Sequence, residues 1–245
     1  MKLTREQVID ILRGDRNLAG HDLSRLYLEG FDFAGANLAE AILNYSNIKR
    51  CDFTQANFAG ARFLGANLTD SVMEGAFLEG ANLAHAKLYR VNLAGVQMRD
   101  TVAQYANFTH ANLRGAEMMR GDFEGSYMIS TLLERANLTQ ANFYSANLSG
   151  AQLTEAGLER ADLTECNLTG ARLIGTYLVG AKFKSADLTS AVLIQADLAN
   201  ADLRGANLTE ANLEGANLQG ANFTGATLYR TNLENAVLDG ALGLE

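Results

Sequence analysis

From Leu23 to Leu238 every fifth residue is Leu, Ile, Phe or Met, through 44 units without an insertion or deletion, and only Ala103 departs. Two places earlier in nearly every unit stands a small residue, mostly Ala. Residues one and three of a unit lie two apart, so in extended chain they share a face. Residues four and five then both face outward, because the next apolar place is the sixth. A strand cannot hold two successive residues on one face without bending, so the chain must turn at every unit. A helix is excluded, since a period of five does not keep one face at 3.6 residues per turn. The result is an all-β coil of short extended segments around an apolar axis. Gly is frequent at the fifth place (Gly60, Gly65, Gly215, Gly220), where a turn uses it. The many non-glycine residues at that place are read as turns of ordinary right-handed φ.

The plainest stretch is 196–225, six units reading ADLAN ADLRG ANLTE ANLEG ANLQG ANFTG. Such tandem units resemble the pentapeptide-repeat family, whose strict form A-[DN]-[LF] occurs 17 times here. The resemblance covers residues 18–242. It implies a right-handed quadrilateral β-helix with 20 residues per coil, hence about eleven coils for this chain. Turns every five residues follow from the spacing; the number four follows from the resemblance. Phenylalanine adds support: of nine at the third place, five (Phe63, Phe123, Phe143, Phe183 and Phe223) share one phase of a 20-residue period. The division expected is an N-terminal capping helix and linker over 1–17, then the β-helix over 18–245.

The helix has its own signals. Thr4 and Gln7 form the T-x-x-Q capping box, Leu3 and Val8 suit a hydrophobic staple, and Gly14 is placed to end the helix. Its short apolar face, Val8, Ile11 and Leu12, must be buried, and the open end of the coil is the natural cover, since repeat arrays need end caps. A partner-binding role is the alternative. At the other end, Gly243 stands where a large core residue belongs, so an open last coil could pair with a second copy in a homodimer across a two-fold axis.

Hydrophobic content of 48% is ample for a core, while a net charge of −8 and a pI near 5.0 disfavour direct nucleic-acid binding. The start lacks the apolar run of a secretory signal and no stretch reaches membrane-spanning length, so no membrane association and a cytoplasmic location are expected. Cys51 and Cys166 sit at inward first places six coils apart, too far for a disulfide. His21, His85 and His110 lack the spacing of a metal pair or of a base beside a nucleophile. No P-loop or dinucleotide motif interrupts the period of five. The chain is therefore read as non-enzymatic, with no catalytic, cofactor-binding or metal residues.

Individuality is confined to departures from the repeat. Between Val91 and Thr131 the core carries Met98, Ala103, Met118 and Met128; the space left by Ala103 is read as filled by Phe108, Phe123 and the methionines. Outside, all eight Tyr fall at outward places. One candidate partner surface is Ile174, Tyr177, Val179, Val192 and Ile194; a second is Met119, Tyr127, Ile129 and Leu132.

Pentapeptide-repeat proteins characteristically act by contact, and the helix followed directly by an uninterrupted coil is similar to small cyanobacterial members. The resemblance thus implies a protein–protein interaction rod or scaffold, regulatory through an unknown protein partner. Two alternatives stand beside it. One is a DNA mimic that binds DNA gyrase or topoisomerase and protects it against quinolone-like inhibitors, for which the acidic charge has the right sign. The other is a structural module without a dedicated partner.

Overall fold

The computed structural model describes residues 1–244. Every second-place residue forms a parallel bridge with the residue 20 further on, from Asn17↔Asn37 to Asn222↔Leu242. The chain is therefore a β-solenoid of 20-residue coils with four sides. The first side comprises 21–25 and its 20-residue repeats; the second, third and fourth begin at 26, 31 and 36. First and third places are buried along almost the whole length, so Ala and Leu or Phe fill one continuous axial core. Each large core side chain contributes about 1.5–3 kcal/mol before entropy is subtracted.

Backbone hydrogen bonds explain the motif place by place. The second-place N–H donates to the preceding coil (Asn37 N to Arg16 O, 3.0 Å). Third- and fifth-place N–H groups donate to the next coil (Leu18 N to Asn37 O, 2.7 Å; Gly20 N to Ala39 O, 2.8 Å). The first-place N–H closes the turn behind it (Ala41 N to Leu38 O, 3.0 Å). One donor is left over, the fourth-place N–H, and the second-place Asn or Asp side chain accepts it, as at Ala59 N to Asn57 Oδ1, 3.1 Å. The same amides also ladder between coils: Asn37 Nδ2 donates to Asn17 Oδ1 at 3.1 Å and Asn57 Nδ2 to Asn37 Oδ1 at 3.3 Å. Asn and Asp thus recur because they complete the backbone pairing.

One expectation is overturned. Every fifth place from Gly20 to Gly240 has positive φ, whether it is glycine or not: Tyr45 at 58°, Arg90 at 56°, Glu155 at 58° and Gln195 at 57°. With the 1→4 hydrogen bond between the third place and the next first place, these are turns of the type II kind, not turns of right-handed φ. An isolated left-handed residue costs roughly 1–2 kcal/mol. Here ladder bonds at the second, third and fifth places hold it in that conformation.

The helix α1 (Arg5–Arg13) carries the expected capping box, with Gln7 N donating to Thr4 Oγ1 and Thr4 N to Gln7 Oε1, and Gly14 at its end. Its setting differs from a plug placed before the coil. The ladder already includes Lys2↔Asp22, and resumes at Asn17↔Asn37, so α1 stands where the second and third sides of that coil would run. Val8 is fully buried, and Ile11 and Leu12 pack against the core beside Leu26 and Phe31. Leu26 and Phe31 occupy first places, which are small from Ala36 onward, and supply the apolar bed for the helix.

Ala103 is fully buried, Phe108 and Phe123 meet edge to face at 6.1 Å, and Phe123 stacks on Phe143 at 5.2 Å. The Phe123 ring leans over its own first place: a Cβ on Gly121 would lie 2.5 Å from Phe123 Cε2. Gly121 therefore leaves room for that ring.

Candidate functional site

The four-sided register decides which surface residues meet. Ile174 and Ile194 are successive residues of one corner row on the third side, both half-buried, with Val192 on the same side. Tyr177 lies round the corner on the fourth side, 53% exposed, and Val179 is 36% exposed beyond it. Ile174, Val192 and Ile194 thus share the third side and its corner, Tyr177 follows on the fourth side, and Val179 stands at the next corner. Tyr177 bridges to Gly157 on one flank and Asp197 on the other. Arg172 bridges to Val192 and is exposed at the rim, without an ion pair among the described residues.

The second group is not brought together as a whole. Tyr127 and Ile129 lie on the second side and Leu132 follows round the next corner, Tyr127 being 49% exposed. Met119 is ten residues from Ile129, half a coil, and so occupies the diagonally opposite corner.

The remaining tyrosines are mostly committed to neighbours. Tyr144 donates to Glu165 at 2.9 Å and Tyr105 to Glu124 at 3.3 Å, and both carboxylates hold the phenols' pKa above its usual value. Tyr105 also stacks on His85, and Tyr89 and Tyr229 lie against the guanidinium groups of Arg90 and Arg230. Tyr177 has no such partner among the described residues.

Charge is organised along the rod axis. Arg90 pairs with Asp70 and Arg120 with Asp100, each through two nitrogens at 2.7–2.9 Å, 20 residues apart. These hydrogen bonds, chiefly, hold both carboxyls below the usual carboxylate range. Arg135–Glu155, Arg114–Glu134 and Lys182–Asp162 repeat the arrangement. The acids occur on every side, among them Asp122, Glu29, Glu74 and Glu79, so no side carries an unbroken acidic row. Burial pushes the Cys51 thiol up to about 11 and raises Cys166 further. Among the described residues no group of His, Cys, Asp and Glu is placed to hold a metal ion. No helix is long and apolar enough to cross a membrane.

Two depressions lie elsewhere. One, of about 560 Å³, is walled by Arg114, Glu134, Arg135 and Glu155, whose charges are already paired with one another. Another, of about 450 Å³, runs between α1 and the first coil. Nothing in the repeat pattern pointed to it; the large first-place residues Leu26 and Phe31 were the available signal.

A five-residue period, a 20-residue ladder and an unbroken axial core define a β-solenoid built from pentapeptide units. The family model described as pentapeptide repeats matches 17–55 and, in overlapping copies, 122–242, and a related pentapeptide repeat region model matches 46–126. The chain belongs to the pentapeptide-repeat family, whose fold is a right-handed β-helix. It is similar to HetL, a pentapeptide repeat protein involved in heterocyst differentiation regulation from the cyanobacterium Nostoc sp. strain PCC 7120: 30% identity over 98% of this chain and 96% of that one, TM-score 0.28. QnrB1, a plasmid-mediated fluoroquinolone resistance protein, is 20% identical over 89% of this chain and 92% of that one, TM-score 0.37. Rfr23, from the cyanobacterium Cyanothece 51142, is 19% identical over 97% of each chain, TM-score 0.32. No curated protein matches the chain.

Proposed function

We propose that this protein is a non-enzymatic, cytoplasmic binding rod that engages a protein partner through the corner strip around Ile174, Tyr177 and Ile194. One observation carries the reading. Ile174, Ile194, Val192 and Val179 are aliphatic residues at outward places where the fold requires none, joined by a Tyr without a side-chain partner and an unpaired Arg at the rim. Tyr and Arg around a small apolar centre are the composition of interface hot spots. Tyr127, Ile129 and Leu132 are a secondary surface of the same kind. In this reading about eleven coils form a rigid rod of roughly 50 Å at ~4.8 Å per coil. Residues 18–245 are the binding rod and 1–17 close its N-terminal end.

The test is the triple variant Ile174→Ser, Tyr177→Ser and Ile194→Ser, compared with wild type in capture from the native host followed by thermal melting. Loss of one specific captured protein with an unchanged melt supports the reading. An identical capture profile removes it and leaves a structural module.

The DNA-mimic reading is favoured by the net charge of −8 alone. Against it, acids face all four sides and many are neutralised by lysine or arginine one coil away. A supercoiling assay showing neither inhibition nor quinolone protection at micromolar protein eliminates it. Association of two copies through the C-terminal coil belongs to the same proposal: Val237, Leu238 and Leu242 are exposed there. A monomer by light scattering at high concentration excludes it.

A further inference from the structure

We propose that the groove between α1 and the first coil is a docking site for an acidic peptide segment that carries apolar side chains. Arg5, Ile9, Leu12 and Arg13 fall on one stripe of the helix, at spacings of four, three and one, and Arg16 continues the line beyond its end. Phe31 and Asp32 of the first coil form the opposite wall. Leu12 and Phe31 pack against the core, whereas Ile9 is half-buried and faces the groove instead. The floor is therefore apolar and the rim cationic.

The positive charge at that rim is only partly spent. Three arginines stand against a single carboxylate, a local balance of 3 − 1 = +2 in a chain of net −8. Arg16 holds Asp32 at 2.9 Å, yet its Nε is buried with no hydrogen-bond partner. Arg5 lies 4.9 Å over the Phe31 ring, and neither Arg5 nor Arg13 makes an ion pair among the described residues. Eight of the twelve other arginines are ion-paired, most of them with an acid about one coil away, whereas here one of three is.

Those features select the ligand. Carboxylates suit guanidinium forks, and an aliphatic or aromatic side chain suits Ile9, Leu12 and Phe31. A long polyanion is repelled by the acidic rod, whereas a short acidic segment is not held back to the same degree. The groove lies about seven coils from the Ile174 corner, roughly 35 Å, so the two sites stand or fall separately.

The experiment is fluorescence anisotropy of the full chain with a labelled octapeptide of alternating Glu and Leu. Saturable binding is expected, weakened about tenfold or more by Arg5→Glu with Arg13→Glu and by Ile9→Asp. Arg62→Glu with Lys87→Glu, an equal charge change two to three coils along the rod from the groove, should leave it intact, and melts of all variants establish folding. Three results each overturn the proposal: no saturation at about 1 mM chain, equal weakening by the control pair, or equal affinity for an octapeptide of alternating Glu and Ser. Displacement by inorganic phosphate, but not by chloride at the same ionic strength, also overturns it and assigns a phosphate site instead.

Discussion

Two buried serines occupy the same place in the repeat and should respond oppositely to the same substitution. Ser71 Oγ accepts from Cys51 N at 3.1 Å and donates to the Ile48 carbonyl at 3.0 Å. It thereby stands in for the direct Cys51–Ile48 turn bond, which is missing among the described hydrogen bonds. Ser71→Ala strands a buried N–H and a buried carbonyl, a cost of about 2–3 kcal/mol. Ser126 is also fully buried, but its hydroxyl has no partner, and its N–H already closes the turn to Phe123 O at 3.1 Å. Ser126→Ala removes an unsatisfied group and should be neutral or stabilising by up to about 1 kcal/mol. At roughly 2–4 °C per kcal/mol for a chain of this size, Ser71→Ala should lower Tm by several degrees while Ser126→Ala leaves it level or raises it. Calorimetry of both variants under one condition is the assay. Shifts of the same sign and size would refute the hydrogen-bond reasoning.

Other outcomes follow from the turns, the thiols and the ion pairs. At Gly170, φ is +64° and an added Cβ meets nothing within 4 Å, so the backbone term is isolated: Gly170→Ala should cost about 1 kcal/mol, Asn less and Val more, measured by urea unfolding. Cys51 and Cys166 should resist a thiol reagent at pH 8 in the folded chain and react fully in denaturant, because burial raises both pKa values. Asp70, Asp100 and Asp202 have lowered pKa values in the folded chain. Their contribution is present above the unfolded value near 4 and fades as pH falls through the lower folded values, so Tm should hold level from pH 8 to 5 and decline below about 4. A decline beginning near pH 6 would contradict this.

The core and the need to turn were legible because a period of five leaves one solution for where Ala and Leu point. The hand of the turns was not, because left-handed φ was tied to glycine. A subtler signal was available: Thr54, Ile129, Ile174 and Val179 stand at fourth places, but no β-branched residue stands at any fifth place. Left-handed φ is hardest on β-branched side chains and tolerates Asn, Asp and His. Likewise, the capping box announced α1, yet its seat was announced only by the oversized Leu26 and Phe31. Met119 shows the opposite failing: outward placement was read correctly, but grouping it with Tyr127 ignored that ten residues carry the chain half-way round.

The most direct test of the binding account places a photo-reactive benzoylphenylalanine at Tyr177 and, as control, at Asn217, two coils further along the same side in the regular stretch. Irradiation in the native host should give a discrete covalent adduct with one protein from position 177 and none from 217. Equal adducts from both positions, or an adduct from 217 alone, would contradict a partner surface at the Ile174–Ile194 corner.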